Sequence, residues 1–229
     1  MDKKSRGLCT VMTRMRKNGQ AVKHHRTGLL LLVFSLLWAL PGCGKDVSAQ
    51  EYPPTAETVQ AEAEALHWSL DTEGIQSPSE DLKIYPLEAG EQMTVSVSCG
   101  LSNGKRVLSE ACICPMLLEK PQFAWEDWKD AVTLAEALYG ISEGELYEAL
   151  TGQEMPEPEL PTSESEARPG QESLSWEAEL PSGYGRVRWS ISAGTVTHTF
   201  PSPIVHDWRM NFSITLYESR EVYESIRNA

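Results

Sequence analysis

The stretch Met93-Thr94-Val95-Ser96-Val97-Ser98-Cys99 alternates apolar and hydroxyl side chains without a break. Period two is the spacing of a strand with one buried and one wetted face, so this segment commits the chain to a sheet with an inside and an outside. Residues 83–87 read as a strand before it, and Ser102-Asn103-Gly104 supplies turn chemistry after it. Residues 106–113 read as the return strand; a helix opening at Leu108-Ser109-Glu110-Ala111 is the alternative. On this pattern Cys99 shares the buried side with Val95 and Val97. A regular hairpin puts the cross-strand partner of Cys99 near Lys105 and leaves Cys112 several residues further along. At ~3.3 Å per residue that separation exceeds the roughly 7 Å between Cα atoms that a disulfide spans, so no Cys99–Cys112 bond is expected.

Beyond Pro115 and Pro121 the period changes. Trp125, Trp128, Val132, Ala135 and Leu138 recur at steps of three and four, one face of an amphipathic helix that Gly140 suits as a C-terminal cap. Ser142-Glu143-Gly144-Glu145 matches a capping box and opens a second short helix ending at Gly152. Residues 153–173 are acidic, proline-rich and nearly free of apolar side chains, a linker or long surface loop. Period two then returns over 174–180 and 186–191, with a third strand at 195–200 beyond Gly194 and a fourth at 209–217; residues 219–226 suit a closing helix. Neither strand block buries a face alone. The expected fold class is α+β: an antiparallel sheet or β-sandwich built from residues 82–114 and 174–217, with an inserted helical hairpin at 125–152. Two small subdomains are the alternative.

The N-terminal region determines where such a body would reside. Lys23-His24-His25-Arg26 precedes an apolar run, Leu29 to Leu40, that ends in Leu40-Pro41-Gly42-Cys43. A basic flank, a run too short to cross a roughly 30 Å hydrocarbon core, and a small residue before the break are the parts of a secretory signal peptide. The last four residues resemble the lipobox of bacterial lipoproteins. The resemblance covers residues 1–43 only. It implies recognition of Leu40, Pro41 and Gly42 by the signal peptidase, cleavage after Gly42 and lipid attachment at Cys43. The implied protein is held to the membrane through a diacylglyceryl-cysteine and faces outside the cytoplasm. An uncleaved signal anchor is the competing reading and orients the chain the same way, because the leader's cations stay inside. Residues 1–42 are then the signal peptide, 43–65 the anchor and tether with a possible short helix at 55–66, and 66–229 a single domain.

The leader holds eight of the 20 Lys and Arg and one of the 33 Asp and Glu, leaving 12 against 32 and a formal net of −20. Such a surface disfavours nucleic acid and anionic headgroups and favours a cationic, neutral or Ca²⁺-like ligand, or serves only solubility. No glycine-rich phosphate loop, nucleophile elbow, calcium-hand spacing or paired Cys-x-x-Cys is present, and no cofactor or metal site is expected. The candidate ligand loop is 201–208, which offers His206, Asp207 and Trp208 together. The five tryptophans at 125, 128, 176, 189 and 208 suit packing better than a stacking platform. The leading functional expectation is a noncatalytic lipoprotein that binds an envelope protein or small ligand. The alternatives are an envelope hydrolase using His206 and Asp207, with Cys99 and His198 as further candidates, and a small solute receptor.

Overall fold

The computed structural model describes residues 52–90, 93–117, 119–159, 170–196 and 205–228. Among the described residues eight antiparallel strands make one sheet: β1 (Ser69–Leu70), β2 (Gln76–Ser79), β3 (Leu82–Glu88), β4 (Thr94–Ser102), β5 (Lys105–Leu117), β6 (Glu172–Leu180), β7 (Gly183–Val196) and β8 (Val205–Tyr217). Their order is β1-β3-β4-β5-β8-β7-β6, with β2 also on β3. The two strand blocks of the sequence are thus meanders, joined where β5 pairs with β8 through Leu108↔Leu216, Glu110↔Ile214 and Cys112↔Phe212. The fold is α+β with a single sheet rather than a sandwich or two subdomains.

The alternation of the sequence sets the two faces. Val95, Val97, Cys99, Leu108, Cys112, Trp176, Val187, Trp189, Phe212, Ile214 and Leu216 all lie on one side and are buried. At the β4–β5 turn Asn103 and Gly104 both take positive φ, 52° and 73°, the type I′ geometry that matches strand twist. The tight turn pairs Ser102 with Lys105, so Cys99 faces Leu108 rather than Lys105, and Cys112 faces Val95. Cys99 and Cys112 are both free thiols, and no bond joins them. Residues 108–111 continue the strand; the helical alternative loses because each of these residues has partners on both sides, in β4 and β8.

Helices cover the buried face. A 3₁₀ turn, Trp125–Trp128, leads into α2 (Lys129–Tyr139), which buries Ala131, Val132, Leu134, Ala135 and Leu138 and ends on Gly140 in the left-handed conformation. The next helix, α3 (Glu145–Thr151), differs from expectation in how it starts. Ser142 makes no cap; instead the buried Glu136 carboxylate, reaching over from α2, accepts from the backbone N–H groups of Gly144, Leu146 and Tyr147 at 2.8, 2.8 and 3.0 Å. A carboxylate at a helix N-terminus satisfies its orphan donors and meets its dipole favourably.

Of the segment expected to be a tether, 43–65, the described residues 52–65 are part of the body, and α1 (Ala56–Ala65) buries Val59 and Ala63 completely. Thr55 caps it by accepting from the Thr58 N–H at 3.3 Å. Two small apolar residues one turn apart suffice because the ends are anchored independently: the Tyr52 hydroxyl donates to the Val107 carbonyl at 2.7 Å, and Trp68 is buried just beyond the helix. A final helix, α4 (Arg220–Arg227), capped by Ser219, stands at a corner of the opposite face, where Tyr223 stacks on Tyr184 with ring centres 5.2 Å apart.

Candidate functional site

The sheet face opposite α1, α2 and α3 is lined by polar side chains set in transverse rows by the register. In one row Glu177, Arg186, Thr215, Ser109 and Ser98 stand side by side across five strands; in the next stand Ser175, Arg188, Ser213, Ala111 and Ser96. Most are half-buried, because neighbouring hydroxyls and guanidinium stems shield one another, and α4 covers only the corner.

Two depressions mark this face. A cleft of about 90 Å³ is lined by Arg186, Arg188, Ser213 and Thr215. A broader groove of about 350 Å³ runs along β3, β4 and β5, with Asp81, Leu82, Ser98, Leu101 and Ser109 in its wall and the exposed Ile226 of α4 at its rim. Around the cleft, Arg186 Nε lies 3.7 Å from Glu177 Oε1 and Arg188 Nη2 lies 3.8 Å from Glu159 Oε2, both longer than a charge-assisted hydrogen bond. The Glu159 N–H donates to the Ser173 carbonyl at 2.6 Å, so the acidic segment after α3 begins by running along β6.

The covered face holds ionisable groups of a different character. Glu110 sits at the centre of the apolar side between Val97 and Ile214, fully buried, and its pKa is pushed up to about 8 by loss of solvation. One oxygen accepts weakly from the Cys112 thiol at 3.4 Å, while Oε2 has no partner. Burial pushes Cys99 up to about 12 and Cys112 well above the ordinary thiol range. A thiol held protonated and fully enclosed is neither nucleophile nor metal ligand. Cys99 is therefore a core residue, as its parity with Val95 and Val97 requires.

The tryptophans build the same core. Trp128 stacks on Phe212 at 4.3 Å and 10°, and Phe123 lies between Trp125, Trp176 and Trp189 at 5.0, 4.6 and 5.7 Å. Trp208 is half-buried; a Cβ on Gly170 would stand 2.4 Å from its ring, so only glycine passes there.

From Val205 on, the expected ligand loop is strand. Strand β7 runs unbroken through Gly194, and β8 begins at Val205, so His206, Asp207 and Trp208 are ladder positions opposite Thr195, Gly194 and Ala193. His67 is exposed and far along the chain, in the turn after α1. Residues 40–43, which carry the lipobox, and His198 lie outside the described residues. Among the described residues no three His, Cys, Asp or Glu side chains gather as metal ligands, and no helix is long and apolar enough to cross a membrane.

Sequence reading passed over Arg186 and Arg188 as site residues, although the alternation Arg186-Val187-Arg188-Trp189-Ser190-Ile191 already sets both guanidinium groups on the wet side. It passed over Glu110 too, whose parity with Leu108 and Cys112 marks it as buried. Comparisons with family models, curated proteins and solved structures find nothing that matches this chain.

Proposed function

We propose that this chain is a lipoprotein held to the membrane through Cys43, facing outside the cytoplasm, whose body is a noncatalytic binding module. The observation that carries the reading is the asymmetry of the sheet: one face is sealed by helices and an aromatic core, and the other is open, polar and cleft. A sheet needs only one covered face to be stable, so the open one is available for an envelope protein or small ligand. The leader supports the placement through its basic flank, its short apolar run and Leu40-Pro41-Gly42-Cys43. A cysteine nucleophile at Cys99 gains no support, since that thiol is fully enclosed and has no route to a substrate.

Two measurements test this. Metabolic labelling with a clickable fatty acid should tag the wild-type chain and not Cys43→Ser; equal labelling of both removes the anchor. A photo-crosslinking residue placed at Ser96 or Ser109, on the open face, should capture a discrete species in native membranes, whereas one at Lys129, on the helical side, should not. Identical capture patterns from both sides would remove the binding face.

A further inference from the structure

We infer that the cleft between β7 and β8 binds one carboxylate group, carried by a ligand that is not a polyanion; this rests on the open sheet face being the binding surface. Arg186 and Arg188 alternate along β7 and are paired directly with Thr215 and Ser213 on β8. Two guanidinium groups and two hydroxyls therefore converge on a space of about 90 Å³. That space admits a group the size of a carboxylate.

The donors there are underused. Arg186 Nε is buried yet has no hydrogen-bond acceptor among the described residues, and its Glu177 neighbour stays 3.7 Å away. Among the described residues Arg188 reaches the Ser173 hydroxyl at 3.4 Å and Glu159 at 3.8 Å. Arg186 is also held in place, its guanidinium carbon 5.8 Å from the Tyr223 ring centre. A fork of N–H donors, positioned and only loosely satisfied, matches the two oxygens of a planar carboxylate. The rest of the ligand would lie along the hydroxyl rows toward Ser109 and Ser98. Net charge selects among carboxylate carriers: a chain of formal net −20 without its leader repels a string of anions but accepts one carboxylate on a neutral or zwitterionic body.

The test titrates the full chain, ¹⁵N-labelled in neutral detergent, with sodium acetate against sodium chloride at matched ionic strength. Acetate should produce a saturable shift of the Arg186 Nε–Hε resonance and of the Ser213 and Thr215 amides. Arg188→Gln should raise the acetate midpoint at least tenfold while leaving the amide spectrum of the helical face unchanged. Shifts that merely track ionic strength, or a midpoint unchanged in Arg188→Gln, overturn the proposal. Inorganic phosphate saturating the cleft where acetate does not overturns the carboxylate assignment. Polyglutamate binding a hundredfold tighter per carboxylate than acetate overturns the single-charge assignment. Crosslinking from Ser109 that persists in an Arg186→Gln, Arg188→Gln double variant would refute this site while leaving the binding-face reading standing.

Discussion

Replacing Glu110 with methionine should stabilise the protein, by an amount that depends on pH in a way set by one proton. The carboxyl has an ordinary pKa of 4.5 and is raised to about 8 in the fold because burial penalises its charged form. Below pH 4.5 it is protonated in both states and contributes no pH dependence. Between pH 4.5 and 8 the folded protein keeps a proton that the unfolded chain releases, so stability is lost as pH rises through this window. At about 1.4 kcal/mol per unit, the loss reaches about 3 kcal/mol at pH 7 and levels off near 5 kcal/mol above pH 8. Methionine matches the length of glutamate, suits a site between Val97 and Ile214, and removes the partnerless Oε2. Carboxylates lowered by the fold, Glu57, Glu218 and Glu221, have the opposite sign and act at lower pH, and they cancel when variant and wild type are compared. Urea unfolding followed by tryptophan fluorescence at pH 5, 6, 7 and 8 should show the variant's advantage growing steadily across the series. Parallel stability curves would refute the reasoning, because they would mean that Glu110 is charged in the native state.

Four further outcomes are expected. Glu136→Ala strips three backbone amides of their acceptor at the start of α3 and should cost about 3 kcal/mol, read as a lowered unfolding midpoint with the m-value unchanged. Gly104→Val forces a β-branched residue to φ of 73° in the β4–β5 turn and should cost on the order of 2 kcal/mol, whereas Asn103→Gly should be nearly neutral by the same thermal melt. Cys99 and Cys112 should resist a thiol reagent at pH 8 in the native protein and both react in guanidinium; rapid native labelling at Cys99 would contradict its enclosure. Gly170→Val should displace the Trp208 ring and red-shift its emission, since no space exists for a side chain between them.

Much of the architecture follows from local pattern. The unbroken alternation at 93–99, the Asn103-Gly104 turn, the three-and-four spacing over 125–138 and Gly140 at the helix end each have one good local solution, and the structure adopts it. The misreadings share a cause: each feature is settled by a partner distant in sequence. Helix α1 looked too poor in apolar residues to pack, but Tyr52 and Trp68 hold its ends. The start of α3 suggested its own capping box, but Glu136 was already delivered to it by α2. Gly194 looked like a break, yet β8 pairs across it.

The chain's own residue order determined which side chains face inward and which outward, because alternation along a strand needs no knowledge of what lies across it. Tertiary structure alone decided that β5 pairs with β8. That pairing brings Thr215 beside Ser109 as well as beside Arg186, so that hydroxyls from one strand block meet guanidinium groups from the other on a single surface. It also sealed Glu110 at the centre of the opposite face. Both outcomes depend on register between segments about a hundred residues apart, and register is set by the fit of two whole faces rather than by any short stretch.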